Sequence, residues 1–291
     1  MPVPLLQEMR CGASTFRWGE RTCVMGVVNL TPDSFSGDGL AHDAKAAVEL
    51  ALRMEAEGAD IIDLGAESTR PAGRVYGDGA QAIAAGEELA RLMPVLEEVV
   101  TRIRVPVSVD TYKAGVARRA FEAGASMIND VWGLQADPLL AETVAHFQVP
   151  VVLMHNQRGH QYDDLLADIR KSLESSVARA VDAGVARDRI IVDPGIGFGK
   201  TADHNLEVLR LLPELRSLGY PLLVGASRKS TIGRVLDLPV EERLEGTAAT
   251  VALSIAGGAD IVRVHDVREM VRVARMSDAI VRGWRPGNWD G

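Results

Sequence analysis

Residues able to carry charge or hydrogen-bond a ligand stand directly after short apolar runs, and that placement recurs along the chain. Asn29 and Thr31 follow one run, Glu67-Ser68-Thr69-Arg70-Pro71 a second, and Asp110 ends a third. Asn129-Asp130, Met154-His155 and Asp193 close the next three. Ser227-Arg228-Lys229-Ser230 follows a seventh, and Arg263 and His265 lie at the eighth. By type they separate into two sets. Asp110, Asn129 and Asp193 are carboxylates and an amide, suited to the N–H donors of a flat heterocycle with an aminopyrimidine edge. Arg70, Arg228, Lys229, Arg263 and His265, with Asn29, are suited to phosphate oxygens. One pole would take a polar ring and the other an anion. Taken singly, each residue has a plainer reading: an Asp at a strand end commonly caps the next helix, and a lone Arg commonly forms a surface ion pair. A fold that needed only stability has little reason to set a polar residue at every one of these positions.

The runs that must position these residues read as strands over 23–30, 60–65, 105–110, 127–131, 149–155, 190–193, 221–226 and 260–265. Most are continuously apolar, as parallel strands covered on both faces are. The segments between them have helical spacing. Within 44–56, Val48, Leu52 and Met54 lie among Glu49, Arg53 and Glu55. Gly58, Gly124 and Gly258 each stand just before a strand, where a left-handed residue closes a helix cheaply. Eight strand–helix units in roughly 270 residues predict an α/β fold, a single (β/α)8 TIM barrel, which typically takes about 250. A doubly wound sheet is the alternative, because strand order cannot be read from the sequence. In such a barrel the active site lies at the C-terminal ends of the strands, where the polar residues fall. Residues 1–21, with a turn at Trp18-Gly19-Glu20, are expected to form a hairpin or cap over one end. No Pro-, Gly- or Ser-rich linker divides the remainder, so 22–291 reads as one domain.

The composition narrows the function classes. Of 291 residues, 47% are hydrophobic and 25% charged, which is ordinary for a globular chain and excludes disorder as its main state. The longest stretch free of Asp, Glu, Lys, Arg and His, 246–259, is too short to cross a bilayer. A net charge of −8, from 40 acidic and 32 basic residues, speaks against a nucleic-acid or anionic-membrane surface. Two cysteines, Cys11 and Cys23, cannot build a disulfide framework, and no basic leader precedes an apolar run, so a reduced cytoplasmic chain is expected.

Two other chemistries fit poorly. Pro194-Gly-Ile-Gly-Phe-Gly199-Lys200-Thr201 follows a strand as a P-loop would, but Pro194 replaces the required first glycine and Lys200 the third glycine of a dinucleotide loop. A metal-dependent hydrolase built on His155, His265 and Asp193 would need further ligands close by, and the first strand offers Asn29 and no histidine pair.

In order along the chain, MGVVNLTPDSFS, DLGAESTRP, SVDTYK, IND, DPGIGFGK, GASRKS and EGTAATVALSIAGGADIVRVHDV resemble the signatures of the dihydropteroate synthase family of pterin-binding enzymes. The resemblance runs from about Val24 to Val267. It implies a (β/α)8 barrel that condenses 6-hydroxymethyl-7,8-dihydropterin diphosphate with 4-aminobenzoate to 7,8-dihydropteroate and diphosphate. Carried over by position, it implies that Asp110, Asn129, Met154, Asp193 and Lys229 hold the pterin. Asn29, Arg70, Arg263 and His265 would hold the diphosphate, with Mg²⁺ on Asn29. Thr69, Pro71, Phe198 and Ser230 would shape the aminobenzoate site, with Phe35 on a loop closing over it. Lys229, Arg263, His265, Asp110 and Asp193 would be the catalytic set. A homodimer and sulfonamide competition are implied by the family. The alternatives are a methyltetrahydrofolate corrinoid methyltransferase, against which the arginines speak because it binds no diphosphate, and a non-catalytic pterin-binding protein.

Overall fold

The computed structural model describes residues 8–31, 43–69 and 81–289. Among them an antiparallel hairpin, β1 (Glu8–Cys11) and β2 (Ser14–Arg17), precedes eight parallel strands. These are β3 (Cys23–Asn29), β4 (Ile61–Gly65), β5 (Val107–Asp110), β6 (Met127–Asp130), β7 (Val151–Met154), β8 (Ile190–Asp193), β9 (Leu223–Val224) and β10 (Ile261–Val264). Each pairs with its neighbour in sequence, β10 pairs with β3, and a bridge from Val192 to Leu222 closes the ring. This unbroken order gives a barrel and rules out the doubly wound alternative. The helices are α1 (Ala44–Ala56), α2 (Ala85–Arg102), α3 (Ala114–Glu122), α4 (Leu139–Phe147), α5 (Leu165–Asp182), α6 (Ala202–Arg210), α7 (Leu212–Leu215), α8 (Ser230–Leu236), α9 (Leu244–Ala256) and α10 (Val267–Val281). None among the described residues is long and apolar enough to cross a membrane.

The strands at 105–110, 149–155 and 221–226 are shorter than the sequence predicts. Each begins just beyond a proline, which has no N–H to give a neighbour. The carbonyls of those prolines still serve the ladder: Pro106, Pro150 and Pro221 accept from Ile62, Ile128 and Val192 at 3.1, 3.2 and 2.9 Å. The predicted helix stops are present, with φ of +103° at Gly58, +108° at Gly124 and +96° at Gly258. Two residues after each glycine, Asp60, Ser126 and Asp260 donate their N–H to Val24, Val107 and Leu222, all at 2.8 Å, which starts the next strand in register.

Two apolar cores result. The larger lies between strands and helices, where α1 buries Ala47, Val48, Ala51 and Met54 and leaves Leu52 half-buried. The smaller fills the N-terminal half of the barrel: Met25, Ile61, Met127, Val152, Ile191, Leu223 and Ile261 meet Met9, Cys11 and Phe16 of the hairpin. Each fully buried side chain of this size contributes about 1.5–3 kcal/mol. The hairpin is thus the expected cap, and it plugs the end where the strands begin. Its own turn is at Gly12 (φ +56°), and Trp18-Gly19-Glu20 instead turns the chain into β3. Cys11 and Cys23 are buried free thiols. Thr22, just before β3, gives its N–H and hydroxyl to the buried Asp278 of α10 at 2.8 and 2.7 Å, across 256 residues of sequence.

Candidate active site

At the other end of the barrel the last inward-facing residues are polar, and parallel pairing sets them at one level. Asn29 lies beside Gly65, Gly65 beside Asp110, and Asp110 beside Asn129; farther round, Met154 lies beside Asp193. Asn29, Asp110, Asn129, Asp193, Thr69, Phe198, Lys229, Arg263 and His265 line one cavity of about 940 Å³, counted with the solvent in its mouth.

Burial sets the charge of these groups. It pushes the Asp110 carboxyl up to about 8, against the pull of the Arg263 cation, and Asp193 up to about 6. It pushes the Lys229 amine down to about 8, and Arg263 acts in the same direction. Burial would lower Arg263 as well, but Asp63 and Asp110 outweigh it and hold that guanidinium above its ordinary value.

The two expected poles meet at Arg263. Its Nε donates to Asp63 Oδ2 at 2.7 Å and its Nη2 to Asp110 Oδ2 at 3.0 Å. Asn129 Nδ2 donates to the same Asp63 oxygen at 3.1 Å. Asp63 was not legible as a site residue, since it sits in the middle of an apolar strand that reads as core. The signal available was a carboxylate in such a strand, which cannot stay there without a cation or donor. Three buried acceptor atoms, Asp110 Oδ1, Asn129 Oδ1 and Asp63 Oδ1, have no hydrogen-bond partner among the described residues. Two belong to the cavity wall, and open buried acceptors call for a ligand that brings N–H groups.

The loop after β8 is built around Asp193 and Lys200. Gly195 N–H donates to Asp193 Oδ1 at 2.7 Å. Lys200 Nζ lies 2.8 Å from His155 Nδ1 and donates to the carbonyls of Gly195 and Phe198, both at 3.1 Å. The lysine of the P-loop-like segment therefore holds its own loop. Its glycines serve close packing: a Cβ on Gly195 (φ +71°) would fall 2.0 Å from the His155 carbonyl oxygen, and one on Gly197 (φ +83°) would fall 3.0 Å from the Lys229 stem. Burial, then the Lys200 charge, pushes His155 down to about 3, so its ring is neutral. Lys229 Nζ sits 4.3 Å from the Phe198 ring centroid, in cation–π contact.

Ser227 Oγ lies 3.0 Å from His265 Nδ1 and accepts the His265 N–H at 3.2 Å, which fixes the ring at the rim. Arg228, expected at the phosphate pole, is in the cavity wall, but it takes a φ of +55° and places its guanidinium on Asp266, with Nε 3.0 Å from Oδ2. Met154 is buried against Gly195, and Ser230 opens α8; neither is in the cavity wall. Phe35, Arg70 and Pro71 lie outside the described residues. Among the described residues no group of three or more His, Cys, Asp or Glu could hold a metal ion.

A (β/α)8 barrel with acidic and amide acceptors at its mouth and cations beside them is the architecture of pterin-binding enzymes, and residues 25–265 match that family, described as "Pterin binding enzyme". The dihydropteroate synthase of Bacillus subtilis is 51% identical over 275 residues, 94% of each chain. That of Escherichia coli is 41% identical over 88% of this chain and 90% of its own. A Clostridium difficile dihydropteroate synthase solved in the presence of pteroic acid has a TM-score of 0.85 and 47% identity over 92% of this chain and 99% of its own. A Yersinia pestis dihydropteroate synthase with a sulfonamide drug has a TM-score of 0.88 and 40% identity over 94% and 98%. The chain belongs to the dihydropteroate synthase family, a family of transferases.

Proposed function

We propose that this chain joins 6-hydroxymethyl-7,8-dihydropterin diphosphate to 4-aminobenzoate in folate synthesis, with the two poles of the cavity holding ring and leaving group. The observation that carries the assignment is the open buried acceptors Asp110 Oδ1 and Asn129 Oδ1 in a wall shared with Arg263, Lys229 and His265. Asp110, Asn129 and Asp193 accept the pterin N–H groups, and Lys229 reaches the same ring; Met154 backs the slot. Asn29, Arg70, Arg263 and His265 hold the diphosphate. Thr69, Pro71, Phe198 and Ser230, with Phe35, shape the aminobenzoate side. A Xanthomonas albilineans relative, 41% identical, was solved with 4-aminobenzoic acid, which supports 4-aminobenzoate as the second substrate.

The C–O bond between the pterin methylene and diphosphate breaks, and the aminobenzoate nitrogen forms the new C–N bond and sheds a proton. The pterin ring delocalises the positive charge left at the methylene. Arg263 and His265 stabilise charge on the departing diphosphate, and this stabilisation is the main source of rate the site offers. Aniline-type nitrogen needs no strong base to attack such a cation, so positioning supplies much of the remaining rate. The path is therefore SN1-like. Mg²⁺ fits the donor set in one way. Asn29 offers a single amide oxygen at the mouth, which suits a hard cation taking most of its ligands from phosphate and water. Asn29 would hold it, and the ion would add charge at the leaving group.

We further propose a homodimer through α9 and α10. Leu253, Met276 and Ile280 on these helices are 67%, 63% and 72% exposed, and α9 packs beside α10, which supports an apolar contact with a second copy. Sedimentation at twice the 31.3 kDa chain mass is expected, with Leu253→Asp returning it to the monomer. The free thiols of Cys11 and Cys23 support a cytoplasmic location.

The direct test is diphosphate release from dihydropterin diphosphate and Mg²⁺, with and without 4-aminobenzoate. Release that requires the amine, with dihydropteroate formed, is expected. A secondary deuterium isotope effect clearly above unity at the methylene is expected with it; a value near unity would count against the SN1-like path. Tight pterin binding without release would sink the synthase reading.

A further inference from the structure

A buried ion cluster stands beside the cavity and takes no part in the steps above. Glu67 follows β4, Lys113 follows β5, and Glu88 lies in the first turn of α2. Lys113 Nζ donates to Glu67 Oε2 at 2.6 Å, to Glu88 Oε2 at 2.7 Å and to the Ile83 carbonyl at 2.7 Å, which uses all of its donors. The other oxygen of Glu67 accepts the Tyr112 hydroxyl at 3.0 Å and the Ile83 N–H at 3.2 Å. The side chains of Glu67, Glu88 and Lys113 are only 4%, 0% and 15% exposed. Two carboxylates and one ammonium out of water stabilise a fold no better than well-packed apolar residues would. What the cluster supplies is direction. Glu67 is held from two sides by fixed donors, and Glu67, Ser68 and Thr69 are consecutive residues of the cavity wall. The bonds of the cluster run to β4, β5 and α2 and do not include Asp110, Asn129 or Asp193.

We propose that Glu67, Tyr112 and Lys113 are positioning residues for the arylamine: by fixing the Glu67 carboxylate they hold Ser68 and Thr69 where 4-aminobenzoate lies. This rests on the assignment of Thr69 to that substrate. A cluster serving the fold alone would alter stability and leave the Michaelis constants of the folded enzyme unchanged, so the readout is the split between substrates.

The experiment compares the full chain with Tyr112→Phe and Lys113→Met, by kinetics of amine-dependent diphosphate release and by calorimetry with dihydropterin diphosphate. Tyr112→Phe removes one bond to Glu67, and its KM for 4-aminobenzoate is expected to rise about fivefold. Its kcat and its affinity for the pterin substrate should stay within about twofold, since its loss displaces none of the pterin acceptors. Lys113→Met is expected to raise that KM about tenfold or more, a consequence of misplacing the wall. If the two stranded carboxylates prevent it from folding, Lys113→Met with Glu88→Leu replaces it with the same expectation. Folded variants with an unchanged KM for the arylamine, or with equal losses for both substrates, would overturn the proposal. Failure of the synthase reading is distinguishable, because the unaltered chain would then release no diphosphate in response to the amine.

Discussion

Arg263→Ala is expected to lower kcat/KM for dihydropterin diphosphate by about three orders of magnitude or more. Loss of one preorganised donor to a developing oxyanion costs about 2.7–4 kcal/mol, which alone approaches that figure. The geometry adds a second loss. Arg263 is bonded to Asp63 and Asp110, so its removal leaves two buried carboxylates without their cation. Breaking such a pair from one side destabilises by about 3–5 kcal/mol, or roughly ten degrees of melting temperature in a chain of this size. The two poles are therefore not separable by this variant, although the residue types alone invite that expectation. Without Arg263 nearby, Asp110 stays protonated to still higher pH, and its quality as an acceptor for the pterin falls. Calorimetry with a pterin lacking diphosphate should show weakened binding in the variant; affinity equal to the unaltered enzyme would refute the coupling.

Asp193→Asn should act mainly on the ring. A carboxylate that accepts from two pterin N–H groups contributes charge-assisted bonds of about 1.5–3 kcal/mol each, so affinity should fall by about two to three orders of magnitude. The pH dependence follows from the same residue. Burial pushes the Asp193 carboxyl up to about 6 in the free protein. The ligand's donors favour the ionised form, so Asp193 adds its full contribution above that value and loses it as pH falls through it, below the separate limb that Asp110 sets near 8. The limiting slope is about tenfold per pH unit. In the Asn variant this acid limb should vanish. A limb near pH 6 that persisted in Asp193→Asn would assign it to another group.

Much of this site was legible in the sequence because a parallel barrel converts order into position. Every strand of such a barrel delivers its last residues to the same rim, so Asn29, Asp110, Asn129, Asp193, Arg263 and His265 could be placed together without knowing a single contact. The glycine stops at 58, 124 and 258 were legible for an equally local reason, the left-handed turn that ends a helix. What was not legible depends on contacts between distant elements. Asp63 lies 200 residues from Arg263, and although a carboxylate inside an apolar strand signals a buried partner, nothing near it in sequence says which. Arg228 reads as a phosphate ligand by type and neighbours, yet Asp266, at the end of the next strand, takes it. Lys200 has the look of a phosphate lysine, and only the packed loop shows its three partners to be His155, Gly195 and Phe198. The strand at 221–226 shrinks to Leu223–Val224 because a propensity cannot count the donors a proline removes.

The bond from Thr22 to Asp278 has a consequence for how the chain is made. On the ribosome β3 emerges long before its partner β10 and the acceptor on α10. Until then one edge of β3 shows its unpaired amides and carbonyls to the surroundings, an invitation to pair with another nascent chain. Closing the ring must wait until β10 and α10 have been made and for a contact across 256 residues of sequence, which sets a slow, non-local step. A stop codon anywhere before β10 would thus leave an open, adhesive sheet, and cells should clear such fragments where they would tolerate the loss of a surface loop.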